Sequence, residues 1–218
     1  LERVTPSAAV FDMEKLYWLN RQYIKQASPE RINRLALPYY TRMIVGDLAK
    51  THNIKALEGA QPWIPPQQII DWLAKVTQLW VPYVDRLEQL PESASPIFHY
   101  DAKSALSAPD NAEVLGWPQT KAVLSRFVVK ILANELAEAG QMTAEEFKKI
   151  VNEVKAETGA KGKELFHPVR IVITGSHSGP DFDRLIPIIE EGSRLNLPQH
   201  VLSVRERAKE FAKAQNLG

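Results

Sequence analysis

Apolar side chains recur every three or four positions along most of the chain, a spacing that predicts amphipathic helices. The two clearest stripes lie in residues 120–139 and 143–158. Their apolar members are Leu124, Phe127, Val128, Ile131, Leu132 and Leu136 in the first stripe and Phe147, Ile150, Val151 and Val154 in the second. Gly140 and Gly159 follow these stripes and are expected to act as C-terminal caps. The sequence therefore predicts two long helices here, the first of them continuous over 120–139.

Capping residues mark the starts of several helices. Asp12 and Ser28 each precede a segment of helical periodicity, and Thr143 stands at the start of the second long helix. The helix after Ser28 is expected to break near Pro38 or Gly46, because proline inside a helix removes a backbone hydrogen bond. Further helices are predicted at residues 67–80, 180–190 and 203–214.

Two segments have less regular patterns. Residues 91–118 are rich in proline and serine, which favours loops or short helices and makes this stretch the best candidate for a domain boundary. Residues 170–174 are β-branched and favour a strand by propensity. A lone strand would have no partner, however, and Pro168 could instead lie in the first turn of a short buried helix. Taken together, the pattern predicts an all-α chain in two or three helical units.

The composition narrows the class of protein. Among 218 residues, 27 are lysine or arginine and 26 are aspartate or glutamate, so the net charge of +1 excludes a highly basic chromatin-type binder. The absence of cysteine excludes disulfides, a thiolate nucleophile and cysteine-ligated metal. No run approaches the roughly 18 consecutive apolar residues of a membrane span, so we expect a folded cytoplasmic protein. The sequence begins at Leu1, which we interpret as the sign of an excerpt from a longer polypeptide or of a product whose start was removed.

Motifs for enzymatic chemistry are missing from the sequence. It contains no GxxxxGK[ST], GxGxxG, HExxH or GxSxG string, and its five histidines include no pair spaced i, i+4. One predicted loop contains His177, Asp181 and Asp183, which could form the active site of a hydrolase. That hypothesis lacks a nucleophile or a metal partner at a defined spacing. We therefore predict that this chain is non-catalytic and holds neither cofactor nor metal.

A local basic stretch indicates recognition instead. Lys155, Lys161, Lys163 and Arg170 lead into the small and hydroxylated residues of segment 174–180. Hydroxyl groups and free backbone N–H groups at the start of a helix suit contact with phosphates or base edges. The alternative is a solvated loop beside an ordinary capped helix.

Two other sets of residues could contribute to such a surface. Arg205 and Arg207 could extend the basic stretch, or face water. Trp63 and Trp117 lie in connectors and are candidates for stacking on a base. The tryptophans expected in the core are Trp18, Trp72 and Trp80.

Two strings in the chain resemble those of one protein family. Residues 11–20, FDMEKLYWLN, resemble the "FD-EKL-WLN" signature in the stem-contact region of bacterial glutamyl-tRNA synthetases. Residues 161–175, KGKELFHPVRIVITG, are similar to the "GKGK-LF-PLR-ALTG" signature of that family's anticodon-binding region. The strings occur in the family's order, and the resemblance covers essentially the whole chain.

The resemblance implies the carboxy-terminal portion of a class I synthetase, folded as an all-α bundle or cage. Residues 1–56 would end the stem-contact domain, and residues 57–112 and 113–218 would form two anticodon-binding subdomains. The partner would be glutamate tRNA, with glutamine tRNA as a second candidate, and the protein would be a monomer. ATP and magnesium would bind a catalytic Rossmann half, whose HIGH-type and KMSKS-type strings do not occur in this sequence.

The resemblance also implies which residues contact the anticodon. The tRNA-contacting residues implied by the resemblance are Ser176, Gly179, Pro180, Phe182 and Arg86, and the basic stretch adds Lys161, Lys163 and Arg170 as phosphate contacts. Gly179 stands where a family member can have threonine, so a side-chain hydrogen bond is lost there. Arg86 lies one position out of register with an arginine that the family uses to read the third anticodon base. The choice between glutamate and glutamine tRNA therefore stays open.

A function from a different class also stays open. The chain could be a stand-alone helical module for protein interaction that kept the fold and lost RNA binding. The near-neutral net charge and the missing initial methionine are the sequence features that favour this alternative.

Overall fold

The computed structural model describes residues 12–51 and 63–215, and within these two ranges the chain is helical and has no strand. The helices are α1 (Met13–Gln26), α2 (Pro29–Thr51), α3 (Gln67–Trp80), α4 (Leu90–Ser93), α5 (Ser95–Phe98), α6 (Ala102–Ser107), α7 (Ala112–Leu115), α8 (Thr120–Ala133), α9 (Glu135–Glu138), α10 (Ala144–Thr158), α11 (Lys163–Thr174), α12 (Phe182–Ser193) and α13 (Val204–Gln215). Single-turn 3-10 helices span Val81–Tyr83, Leu87–Gln89 and Pro109–Asn111. The predicted all-α class is confirmed. No helix in the two ranges is long and apolar enough to cross a bilayer.

Part of the sequence argument falls on residues that the structure does not describe. The first residue of the string at 11–20 and the boundary expected between 56 and 57 lie outside the described residues. The division into units 1–56, 57–112 and 113–218 stays a prediction.

Helix α1 lies on the outside of the core, and none of its side chains is buried. The Asp12 carboxylate accepts the backbone N–H three residues on at 3.1 Å, which confirms the predicted cap. Asn20 and Arg21 attach the helix to the rest of the chain by hydrogen bonds to Asp85. Trp18 is 57% exposed, so its predicted place in the core is wrong. Helical periodicity alone does not show whether another helix covers the apolar face.

Helix α2 continues through Pro38 and Gly46 to Thr51, so the expected break is wrong. Proline in a helix interior costs about 3 kcal/mol. Burial of a continuous apolar stripe, with one buried residue at every fourth position, compensates for this cost. These residues are Ile32, Ala36, Tyr40 and Ile44. The stripe faces α3, and its burial keeps the helix in one piece.

Helix α3 has the predicted bounds and carries the centre of the core. Trp72 is fully buried, and its Nε1 donates to the carbonyl of Ile188 at 2.8 Å. Its ring meets Phe98 edge-on, with centroids 5.5 Å apart. Gly192 of α12 lies against the same indole, where a Cβ would come within 2.5 Å of Trp72 Cζ2. The close approach of α3 and α12 therefore requires glycine at that position.

The first long helix expected from the sequence is interrupted. Helix α8 ends at Ala133, and Asn134 Oδ1 then accepts from the N–H of Ala137 at 2.9 Å to begin α9. Asparagine favours such a cap because its side chain replaces a backbone partner. Leu136, expected on the buried stripe, is 39% exposed because the chain changes direction at the cap.

The next two helices follow the sequence more closely. Thr143 Oγ1 accepts from the N–H of Glu146 at 3.1 Å, and Gly159 ends α10 at a φ of +71°. Helix α11 resolves the ambiguous segment as helix, with Pro168 in its interior and not in its first turn. The β-branched residues of that segment, Ile171, Val172 and Ile173, are fully buried. Their apolar run reflects burial of the last turn of α11 and not a strand.

Helix α13 carries an arginine inside the protein. Arg207 is fully buried, and its nitrogens donate at 2.7 Å to the carbonyls of Pro96, Ile97, Ile173 and Leu202. Burial lowers the pKa of Arg207 to about 10, so the guanidinium is still charged at neutral pH. Arg207 therefore joins α5, α11 and α13 and adds nothing to a basic surface. Arg205 is half-buried and donates to the Leu132 carbonyl at 2.7 Å.

The buried apolar side chains from α2 to α13 form one hydrophobic cluster. Glu190 lies within it and is 2% exposed. Its carboxylate accepts from the N–H of Val204 at 2.8 Å and from the N–H of Met142 at 3.3 Å. Burial raises the pKa of Glu190. This carboxylate therefore connects α12 to the segment that precedes α10 and to the first residue of α13.

Candidate nucleic-acid interface

The start of α11 presents two of the predicted basic side chains to solvent. Lys161 and Lys163 are both exposed, on either side of Gly162, whose φ of +52° turns the chain into the helix. Lys163, His167 and Arg170 are spaced i, i+4 and i+7, so they lie along one face of α11. That face leads from the two lysines to the segment that follows the helix.

Arg170 joins α11 to the beginning of α12. Its Nη1 donates a short hydrogen bond to the carbonyl of Pro180, and its Cζ lies 4.2 Å from the centroid of the Phe182 ring. Phe182 in turn packs against Phe147, with ring centroids 4.8 Å apart. Burial lowers the pKa of Arg170, mainly because the guanidinium loses water. The structure thus brings together Arg170, Pro180 and Phe182.

Gly179 lies against the same arginine. Its φ is +147°, a conformation that L side chains rarely adopt, and a Cβ there would lie 3.6 Å from Arg170 Nη1. Threonine, which the family resemblance places at this position, would strain the backbone as folded here. Gly179 is exposed and offers only its backbone N–H and carbonyl to a ligand.

A buried asparagine fixes the segment between α11 and α12. Asn111 is 1% exposed, and its Nδ2 donates to the carbonyls of Ala105 and Gly175, each at 2.8 Å. Its Oδ1 accepts from the N–H of His177 at 3.1 Å. Sequence reasoning missed Asn111, because it is far along the chain and shows only as a polar residue in a proline-rich stretch. The segment is therefore held before any ligand arrives.

We expect Asn111→Ala to destabilise the protein and loosen this segment. Three backbone groups would lose a buried partner, and an unpaired buried group costs roughly 1–3 kcal/mol. Because the segment is at the surface and can recover some hydrogen bonds to water, we expect a loss of about 1–2 kcal/mol in urea denaturation. Asn196→Ala, at an exposed position in the turn before α13, is the matched control and should leave stability unchanged.

Short-range hydrogen bonds complete the same segment. Thr174 Oγ1 donates to the carbonyl of Ser176 at 3.1 Å and accepts from the N–H of Ser176 at 3.3 Å. Ser176 Oγ accepts from the N–H of Ser178 at 3.3 Å. The Ser176 hydroxyl therefore keeps its own proton available for a ligand, since its contact within the segment uses it as an acceptor.

Three aromatic rings contact one another in a row beside the segment. Trp117 stacks on His167, with centroids 5.8 Å apart and planes at 29°, and His167 lies 5.4 Å from the ring of His177. Burial lowers the pKa of His167, and the nearby His177 contributes further. Trp117 thus already has an aromatic neighbour, while Trp63, the other stacking candidate, packs partly against the core.

A pocket of about 350 Å³ lies where α10, α11 and the start of α12 meet around Arg170. Its lining includes Phe166, which is 44% exposed, together with Phe182 and Asp183. Asp181 and Asp183 both line this pocket, whereas His177 does not. Within residues 12–51 and 63–215, no group of three His, Asp or Glu side chains could hold a metal ion.

Two other basic residues lie away from Arg170. Lys155 is exposed near the end of α10. Arg86 lines a groove beside α1 and α2, where its Nη1 lies 2.9 Å from the Glu88 carboxylate and its Cζ 4.9 Å from the centroid of the Tyr17 ring. The structure therefore brings Arg170, Pro180 and Phe182 together and places Arg86 in a separate groove.

The exposed lysines and the exposed loop backbone at this surface are the kinds of groups that contact phosphates and base edges in nucleic-acid-binding proteins. Residues 55–195 match the anticodon binding domain family. Because this match covers more than half of the chain, the chain belongs to that family.

Individual relatives agree with this membership. The chain is 32% identical over 193 residues to the glutamate–tRNA ligase of Desulforamulus reducens, covering 87% of this chain and 35% of that protein. It is 32% identical over 191 residues to the glutamate–tRNA ligase of Staphylococcus saprophyticus, covering 86% and 34%. The predicted kinship with glutamyl-tRNA synthetases is confirmed, and the chain spans about a third of the length of these relatives.

The fold is also shared with solved structures. A crystal structure of a glutamate tRNA ligase from Elizabethkingia meningosepticum superimposes with a TM-score of 0.55 at 17% identity, covering 98% of this chain and 34% of that protein. At this identity the similarity concerns the fold alone.

Proposed function

We propose that this chain binds the anticodon stem-loop of tRNA, as the tRNA-binding portion of a glutamate–tRNA ligase. The observation that carries the proposal is the arrangement at α11 and α12. There Arg170 lies on Phe182, binds the Pro180 carbonyl and borders a segment already fixed by Asn111. Membership of the anticodon binding domain family supports it.

The basic residues would supply most of the affinity. Lys161 and Lys163 are exposed at the start of α11, where they can contact phosphates. Contacts of this kind position an RNA and carry no sequence information. Binding through these lysines is expected to weaken as the salt concentration rises, because the release of counterions from the RNA is then less favourable.

The segment between α11 and α12 would read the bases. The Ser176 hydroxyl can donate, and the exposed backbone of Gly179 can donate and accept. The Arg170 guanidinium, already stacked on Phe182, offers a planar surface of the kind on which unpaired RNA bases stack. Gly179 leaves this surface uncovered, since a larger side chain there would approach the guanidinium.

The remaining parts of the proposal concern the longer protein. Amino-acid activation with ATP and magnesium would belong to a catalytic domain outside this chain, which would itself be non-catalytic. The substrate would be glutamate tRNA, with glutamine tRNA as a second candidate, in a cytoplasmic monomer. Arg86 would contribute to the choice between the two tRNAs from its separate groove.

The test is binding of the 218-residue chain to an RNA hairpin with the sequence of the glutamate tRNA anticodon stem-loop, measured over a salt series. We expect Lys161→Ala with Lys163→Ala to reduce the slope of log K against log salt by roughly 1.4–1.8, since each phosphate contact contributes about 0.7–0.9. The matched control is Lys209→Ala with Lys213→Ala, two exposed lysines on α13. The control pair should leave the slope unchanged.

Hairpins with altered anticodon bases complete the test. The proposal requires that the wild-type chain bind them more weakly than the parent hairpin, because base contacts carry the specificity. Equal affinity for all hairpins would leave only non-specific contact and would contradict an anticodon reader. Recovery of a protein partner without RNA would instead favour the interaction-module alternative.

A further inference from the structure

Tyr83 presents an exposed aromatic ring on a rigid turn. It ends the 3-10 helix Val81–Tyr83, and its side chain is 62% exposed. Trp80 and Val84, on either side of this turn, are 4% and 3% exposed. Pro82 restricts the backbone between them. The ring therefore projects from a backbone that its buried neighbours hold in place.

A hydrogen bond between α3 and α12 places this turn beside the candidate interface. Arg184 Nη2 donates to the carbonyl of Gln78 at 2.9 Å, which joins the last turn of α3 to the first turn of α12. In addition, the electrostatic effect of Tyr83 raises the pKa of Arg170, against the larger lowering by burial. Tyr83 thus borders the region around Arg170 and Phe182 from the side of α3.

The environment of Phe182 makes a second aromatic ring useful there. Arg170 covers one face of the Phe182 ring at 4.2 Å, and Phe147 packs against it at a centroid distance of 4.8 Å. Phe182 is only partly exposed and has little free ring surface to offer. Tyr83, by contrast, has most of its side chain in solvent. Tyrosine supplies a large, rigid contact area at low conformational cost.

We propose that Tyr83 is a stacking platform for an unpaired nucleobase of the RNA held at α11 and α12. The inference rests on the proposed function and extends the RNA contact from α11 and α12 to the end of α3. Stacking on an aromatic side chain tolerates any base, because every base has a π-face. Tyr83 therefore contributes affinity and local order, while the segment between α11 and α12 contributes base selection.

The experiment compares Tyr83→Ala, Tyr83→Phe and wild type in binding the glutamate anticodon hairpin. Each loop position is substituted in turn by the fluorescent base 2-aminopurine. We expect Tyr83→Ala to weaken binding by roughly 5- to 150-fold, the range for loss of one stacked base. It should also abolish the fluorescence quenching at one loop position. Tyr83→Phe keeps the ring and should bind and quench like wild type.

Val129→Ala is the matched control, because Val129 is also a mostly exposed apolar side chain, at 57%, but lies on α8. It should bind like wild type, and all three variants should keep the melting temperature of the parent. Wild-type affinity for Tyr83→Ala, with the lysine pair at α11 still sensitive to substitution, would overturn this inference and leave the proposed function intact. If the wild-type chain fails to bind the hairpin, the proposed function and this inference both fall.

Discussion

Arg207→Met should lower the free energy of unfolding by about 3–5 kcal/mol, the range for removing one partner from a buried charged network. Methionine fills much of the space but donates no hydrogen bond. Four carbonyls that now receive bonds at 2.7 Å would be left without them. Methionine removes the free-energy cost of burying a charged guanidinium, which offsets part of this loss. The offset is incomplete, because each buried carbonyl left without a hydrogen bond destabilises the folded state.

Urea denaturation followed by circular dichroism measures this effect. Arg126→Met, at a side chain that is 63% exposed, is the control and should stay within about 0.5 kcal/mol of wild type. Arg207→Lys should fall between the two, because lysine keeps the charge but cannot reproduce the planar fork of donors. A loss below about 1 kcal/mol for Arg207→Met would show that the four carbonyls find other partners.

Gly192→Ala should destabilise the protein by about 3 kcal/mol, at the upper end of the range for overpacking a core. In most helices this substitution stabilises, because alanine has the higher helix propensity. Here the new Cβ would lie 2.5 Å from Trp72 Cζ2 and 2.8 Å from Cε2. The indole cannot move away freely, since it is fully buried and bonded to the Ile188 carbonyl.

A double-mutant cycle identifies the cause. Trp72→Phe removes the atoms that the new methyl group would meet, so Gly192→Ala should cost much less in that background. Gly46→Ala is the matched control: Gly46 also lies within a helix, but a Cβ there has nothing within 4 Å. It should stabilise by roughly 0.4–1 kcal/mol. An equal loss from Gly192→Ala in both backgrounds would show that Trp72 is not the obstacle.

Local rules predicted the elements whose ends are set by nearby residues. The Thr143 cap and the Gly159 terminator fix α10 through contacts within a few residues, and both were readable from the sequence. Tertiary contacts decided the failures. Helix α2 passes Pro38 because a stripe on its other face is buried, and a local pattern does not show which face another helix covers.

The residues of the candidate site also fall into two groups: those that the sequence indicated and those that depend on tertiary contacts. The string ending at Gly175 pointed to Arg170 and Phe182, and the structure places them in contact. Asn111 gave no such signal, because its role depends on the approach of α6 and α7 to the end of α11. Arg207 was taken for a surface cation because its charge is visible in the sequence, whereas the four carbonyls around it come from segments far apart along the chain.

The anchoring of the segment between α11 and α12 has a consequence for the kinetics of recognition. Its hydrogen bonds to Asn111 and Thr174 are formed within the free protein, so little of the chain has to be ordered when a ligand arrives. The conformational entropy lost on association then falls mainly on the partner, whose flexible loop must unstack its bases. Under these conditions the lifetime of the complex, more than the rate of encounter, is expected to separate a matching partner from a mismatched one.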